Sequence, residues 1–277
     1  EGKKLGVVGE PEPFQGSMRL TADGTRAYIS VDDREGVARR WVYGLTRSSR
    51  TPLSTHWAWE SSQVLTPDGS TVYYASDRAE LPDIYRQRLD GSGNEEVVIS
   101  GPGDQFPNDV SPDGKYLLYT SAGGPTGADL MALPLTGSEK PFVVARSPAY
   151  DGNGRFSPDG TWVAYLSNVS ARQLVYAKRF REEGLPQEVS STPGQNPRWS
   201  PDGRYLYYAT DESHTVMRAA RLPDGSFDEP RPLFTLPERI RSFELHPDGR
   251  RILALLAEDE QITRPINIIT GWEPPKK

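Results

Sequence analysis

A four-residue turn signal recurs six times along this chain: Thr21-Ala22-Asp23-Gly24, Thr66-Pro67-Asp68-Gly69, Ser111-Pro112-Asp113-Gly114, Ser157-Pro158-Asp159-Gly160, Ser200-Pro201-Asp202-Gly203 and His246-Pro247-Asp248-Gly249. Successive aspartates stand about 45 residues apart. A near-constant interval of that size means that one structural unit is repeated. What repeats is a tight turn. Pro presets φ at the second position, Asp and Ser bond nearby backbone, and Gly takes a conformation that a side chain would forbid.

The flanks of each turn show β periodicity. Three residues before the aspartate stand Leu20, Leu65, Val110, Phe156, Trp199 and Leu245. Four residues after it stand Ala27, Val72, Leu117, Val163, Leu206 and Ile252, and two further on Ile29, Tyr74, Tyr119, Tyr165, Tyr208 and Ala254. A spacing of two is that of a strand, so each turn joins two strands in a hairpin. A third strand follows, as at Asp83-Ile84-Tyr85-Arg86, then a shorter fourth, as at Glu96-Val97-Val98-Ile99. Pro232, inside the fourth-strand run Arg231-Pro232-Leu233-Phe234, suits an edge strand, where a missing N–H is tolerated. The expected fold is all-β: a six-bladed β-propeller with four antiparallel strands per blade, filling residues 1–277 as one domain. The last blade lacks a fourth strand of its own. The run Lys4-Leu5-Gly6-Val7-Val8 is expected to supply it beside residues 265–270 and close the ring, which removes two open sheet edges.

Composition narrows the function classes. A hydrophobic share of 35% with 26 Gly and 25 Pro suits a turn-rich β protein, and apolar runs that recur on schedule argue against disorder. A net charge of −6 argues against a nucleic-acid partner, which needs a basic surface. The absence of cysteine removes disulfides, thiolate metal sites and cysteine nucleophiles. No run approaches the ~20 apolar residues of a membrane-spanning helix. The chain opens on Glu1-Gly2-Lys3-Lys4 without a signal peptide, which reads as a mature fragment or a domain cut from a longer protein. A monomer is expected, and the compartment, periplasmic or cytoplasmic, stays open.

The pattern Ser-Pro-Asp-Gly, an apolar strand, then Asp-Ile/Leu-Tyr resembles the TolB-like propeller repeat. Ser76-Asp77-Arg78, Phe156 to Tyr165, Asn196-Pro197-Arg198-Trp199 and the ending Pro265 to Trp272 are similar to propellers that follow bacterial Ser/Thr kinase or winged-helix domains. The resemblance covers residues 4–272 and implies the six-bladed fold and a binding scaffold. Ala22 departs from it in the first turn, and no kinase or DNA-binding segment is present to carry those activities over.

The six turn aspartates read as structural, all at one end of the ring. The other end is where loops gather around the channel mouth. Four residues before each turn aspartate stand Arg19, Val64, Asp109, Arg155, Arg198 and Glu244, and alternation points them into the channel. Three arginines facing two acids form either a self-satisfied charge network or an anion or carboxylate site. Two positions earlier comes the ring Ser17, Ser62, Pro107, Asn153, Asn196 and Ser242. Asp104, Asn108, Asp109, Asp151 and Asn153 form an oxygen-rich set that suits Ca²⁺ in the channel, or are ordinary loop residues. His56, near Trp57, Trp59 and Glu60, and His214, near Asp211 and Glu212, lie in loops at the expected mouth, where a His with a carboxylate can do acid–base work. The two fall on opposite blades and are not expected to meet. His246 reads as a turn residue. The aromatic set Phe14, Trp57, Trp59, Phe106 and Tyr150 either forms a binding surface or packs the loops.

Two functions remain. The first is a non-catalytic binding or sensor propeller that recognises a protein or small ligand at the mouth through Arg19, Asp109, Arg155, Arg198, Glu244, Trp57 and Trp59. The second is a Ca²⁺-dependent hydrolase of esters or phosphoesters in the central channel.

Overall fold

All six Asp-Gly turns close with the Gly N–H on the carbonyl three residues back, and five of them add a hydroxyl-to-Asp bond. In the first repeat the Gly24 N–H donates to the Thr21 carbonyl (2.8 Å), and Asp23 Oδ1 accepts from the Thr21 hydroxyl (2.5 Å) and the Thr25 N–H (2.9 Å). The Ser111, Ser157 and Ser200 hydroxyls donate in the same way to Asp113, Asp159 and Asp202. Gly24 has φ +67°, in the left-handed region that glycine enters without steric cost. The Thr21 hydroxyl, then the Thr25 N–H and hydroxyl, hold the Asp23 carboxyl down at about 2.

The computed structural model describes residues 3–257 and 264–270, except Arg34, Ser48, Thr55, Asp211 and Ser213. Among these, twenty-four strands, numbered in chain order, fall into six four-stranded sheets. The first sheet runs β2 (Phe14–Leu20), β3 (Arg26–Asp32), β4 (Ala38–Gly44) and β5 (Ser49–Pro52). Four sheets with the same sequential order begin at β6 (Glu60–Leu65), β10 (Gln105–Val110), β14 (Asp151–Phe156) and β18 (Gly194–Trp199). The remaining sheet takes β22 (Arg239–Leu245), β23 (Arg251–Ala257), β24 (Arg264–Thr270) and then β1 (Lys3–Glu12). There β1 runs antiparallel to β24, with Val7 opposite Asn267 and Val8 opposite Ile266. Gly271 and Trp272 lie outside the described residues. All strand pairs within the sheets are antiparallel, and the architecture is an all-β propeller.

The strands alternate as the turns dictate, but they are apolar on both faces because each sheet is covered by two neighbours. Leu206 and Tyr208 pack towards Trp162 and Leu166 of the preceding sheet, whereas Tyr207 and Ala209 pack towards Phe243 and Ile252 of the following one. Val8, Met18 and Ile29 share a core cluster with Leu253 and Leu255 of β23. Full burial of side chains of this size contributes roughly 1.5–3 kcal/mol each. The first strands also lie side by side: β2 with β6, β6 with β10, β10 with β14, β14 with β18, β18 with β22, and β22 with β2. Adjacent turns meet as well. A Cβ added to Gly203 would sit 3.6 Å from Pro158 Cδ, and one added to Gly24 would collide with the His246 ring, 2.2 Å from its Nε2.

Candidate functional site

Each first strand breaks register with its neighbour just before the position that carries the site. The shifts fall between Phe14 and Met18, Ser61 and Val64, Pro107 and Asp109, Gly152 and Arg155, Gln195 and Arg198, and Ile240 and Ser242. At Ser62, Asn153 and Asn196 the backbone enters the left-handed region, with φ of 55°, 54° and 54°. Such bulges twist a strand and re-aim its side chains. Asn accepts this conformation more readily than most residues, because its short polar side chain can bond locally. The result is a chamber of about 430 Å³ at the loop end, whose walls include Ser17, Phe106, Tyr150, Asn153 and Asn196.

Arg19, Arg155 and Arg198 line this chamber and also a second one, of about 300 Å³, that opens among the Asp-Gly turns. Asp109 and Glu244 line the second chamber with them. The three arginines therefore stand between the two cavities, with Asp109 and Glu244 on the turn-end side. Val64, in the same register, faces the second chamber and joins the core beside Tyr73, Ile84 and Val110.

The charges in this floor are unevenly paired. Glu244 Oε1 accepts from Arg19 Nη1 at 2.9 Å and from Arg198 Nε at 3.0 Å, with Arg198 Nη2 also at 3.0 Å. One carboxylate oxygen thus serves two guanidinium groups. Asp109 Oδ2 accepts from the Phe156 N–H at 2.8 Å. Arg155 donates to two carbonyls, those of Asn108 and Gly154, and its buried Nε has no hydrogen-bond partner. Burial, then the Arg19 and Arg198 charges, push the Arg155 guanidinium well below its ordinary value, so keeping it charged here is unfavourable. Burial likewise pushes the Asp109 carboxyl up, against the pull of Arg155 and Arg19. Burial also opposes the charge on Glu244, but Arg198, Arg19 and Arg155 together hold its carboxyl below the ordinary range.

The oxygen-rich set is partly engaged by protein partners. Asn108 Oδ1 is taken by the Thr120 hydroxyl (2.8 Å) and the Gly154 N–H (3.2 Å). Asp109 lies within the field of Arg155 and Arg19, which repels a cation. Asp151 is buried and its Oδ2 has no partner, Asn153 is exposed on the chamber wall, and Asp104 is half-buried. Among the described residues no three His, Asp or Glu side chains come together as ligands.

The histidines and most of the aromatic set lie elsewhere. His56 Nε2 is 3.2 Å from Glu95 Oε2, but Glu95 also accepts from Arg78 at 2.5 Å. His214 Nδ1 lies 3.2 Å from the Leu236 carbonyl, and Asp211 is outside the described residues. Among the described residues, neither histidine lines the loop-end chamber. His246 is a turn residue, with Nδ1 at 3.0 Å from Asp248 Oδ2. Phe14, expected at the mouth, is instead core, buried edge-on against Tyr43. Phe106 and Tyr150 line the chamber, and Trp59 meets Phe106 edge-on at 6.3 Å. Trp57 is 86% exposed and lies outside the chamber, 5.1 Å above the Arg39 guanidinium. Arg39 holds this loop by donating to the carbonyls of His56 (2.5 Å) and Ala58 (2.9 Å). The floor residues were legible in the sequence; the bulges that shape the chamber were not, and the only signal for them was Asn at two of the bulge positions.

No protein-family model matches the chain. The Tol-Pal system protein TolB of Helicobacter hepaticus is 31% identical over 109 residues, which is 38% of this chain and 25% of that protein. The chain thus matches about a quarter of the length of the curated relatives it resembles. Among solved structures, the putative TolB of Agrobacterium tumefaciens superposes with a TM-score of 0.68 at 16% identity, covering 95% of this chain and 91% of that one. An oligogalacturonate lyase in complex with manganese gives 0.63 at 16% identity, covering 95% and 74%. At these identities the structural likeness is one of fold, and the fold is that of a TolB-like propeller.

Proposed function

We propose that this chain is a non-catalytic recognition module: one six-bladed ring over 1–277, closed by β1 in the last sheet, that takes a protein segment or a small ligand at its loop-end mouth. The closure rests on the β1–β24 pairing, the β22–β2 contact and the core cluster shared by Val8, Met18 and Leu253. The functional reading rests on one observation. A polar chamber of about 430 Å³ ends on three arginines that have two carboxylates between them. A site of this kind presents directional donors to a ligand and holds no convergent nucleophile and base. The relative named for the Tol-Pal system supports a protein partner. The resemblance of its repeats to propellers behind kinase and winged-helix domains makes a signalling fusion part of the same reading. A net charge of −6 makes nucleic acid a poor partner, and among the described residues no helix is long and apolar enough to cross a membrane. A monomer is part of this proposal.

The test is a thermal-melt screen of small acids, sugars and short peptides against the wild type and Ala122→Trp. Ala122 lines the chamber, so the indole fills it. A ligand of the chamber raises the wild-type midpoint and leaves the variant unmoved, while both melt alike without it. Ligands that bind the filled variant as well as the wild type would remove the chamber from the proposal. Metal-dependent ester or phosphoester turnover by the wild type would restore the hydrolase reading.

A further inference from the structure

We infer that Arg155 is the anchor of an internal oxyanion site, built for a carboxylate or phosphate group and reached from the chambers it lines. This holds whether or not the mouth captures a larger ligand. Three guanidinium groups and two carboxylates occupy the floor. Both bonds that Glu244 makes with guanidinium groups go to Arg19 and Arg198, which leaves Arg155 without a share. Asp109 turns an oxygen to the Phe156 N–H and, among the described residues, lies in no ion pair with Arg155. The guanidinium of Arg155 is steered by the Asn108 and Gly154 carbonyls on Nη1 alone.

The unused edge is the informative one. Arg198 shows what that edge does in this floor, since it sets Nε and Nη2 each 3.0 Å from Glu244 Oε1. On Arg155 the corresponding Nε is buried without a partner. A planar Nε–Nη2 fork matches the oxygens of a carboxylate or phosphate. A charge withdrawn from water is tolerated only when it is paired, and an oxyanion at this edge supplies the missing negative charge. The surrounding groups favour it. Arg19 and Arg198 add positive field, and Glu244 is already shared between those two guanidinium groups.

The experiment titrates sodium acetate and, in a separate arm, inorganic phosphate, each replacing sodium chloride at constant ionic strength. The wild-type melting midpoint is followed and the affinity confirmed by equilibrium dialysis. The inference predicts a saturable rise in the wild type and at least tenfold weaker binding in Arg155→Met. Arg155→Lys, which keeps the charge but loses the fork, also weakens binding; it serves as the test should Arg155→Met fail to fold. A response to acetate alone makes the site one for carboxylates, and a response to phosphate alone one for phosphoryl groups. A wild type indifferent to both, or variants that bind as the wild type does, would overturn the inference.

Discussion

At the turn end of the propeller, five of the six hairpins repeat one set of bonds: hydroxyl to Asp, Gly N–H to carbonyl, and the N–H two residues on to the same Asp. At the loop end the sheets differ from one another. The position four residues before the turn aspartate is Arg, Val, Asp, Arg, Arg and Glu in turn, and buried polar atoms lack partners at Arg155, Asp151 and Ser242. The same strands feed both ends, so the difference does not come from the scaffold. A repeat keeps a residue where the fold needs it in every unit. It diverges where the units surround a shared space and each contributes something different to it. Hydrogen bonds at the turn end close locally, whereas charge at the loop end is left open.

The loop end also contains a counterexample, and it yields the largest expected effect. Glu60, fully buried, accepts from Arg40 Nε at 2.8 Å and Arg78 Nη2 at 2.5 Å, bridging the first two sheets. Glu95, 3.6 Å from Arg40 and 2.5 Å from Arg78, makes the charges two against two. Glu60→Ala leaves two cations under-compensated and should cost about 3–5 kcal/mol of unfolding free energy. A loss under about 1 kcal/mol by urea unfolding would mean that matched and unmatched clusters are energetically alike, and the contrast would fail.

A smaller effect is expected at the turn end. Gly24→Ala places a β-carbon in a backbone of φ +67° and against the His246 ring. A loss of about 1–3 kcal/mol follows from the strained backbone and the overlap. Gly36, at φ +79° with open space around it, serves as the control. Its alanine variant should lose less, because only the backbone term remains. Equal losses would show that the turns of the first and last repeats do not press on one another.

The smallest effect is a pH dependence. The turn aspartate Asp23 is held at about 2 by its hydrogen bonds, below the ordinary carboxylate value. A carboxyl depressed in the folded state stabilises the fold above its unfolded pKa, near 4, and that contribution disappears as pH falls towards 2. Acid titration of the melting midpoint should therefore fall through this window, and Asp23→Ala should flatten it slightly. An acid limb unchanged in the variant would take Asp23 out of the turn's stability.

Much of this architecture was readable in advance, and the reasons are physical. Turn chemistry is local, so Pro-Asp-Gly at near-constant spacing announces hairpins without knowledge of anything distant. Strand alternation then places Arg19, Asp109, Arg155, Arg198 and Glu244 inward. Loops carry no such period. Trp57 and Trp59 follow a loop that Arg39 of the preceding sheet holds in place, a contact between sheets that sequence spacing does not contain. Phe14 stands at the loop end of β2, which suggests the mouth, but it packs with Met18 and Tyr43 in the core. Overall charge was a poor guide too, since a chain of net −6 encloses a floor with more guanidinium than carboxylate groups.

The most direct measurement of that difference is the anion-free unfolding free energy of Arg155→Met against the wild type. If Arg155 is an uncompensated buried charge, the unbranched, uncharged methionine side chain replaces it at no loss, and the variant is as stable as the wild type or more so by about 1–4 kcal/mol. A loss of about 3 kcal/mol or more, the cost of breaking a buried ion pair, would mean that Arg155 is already satisfied within the floor and that the loop end is as closed as the turns.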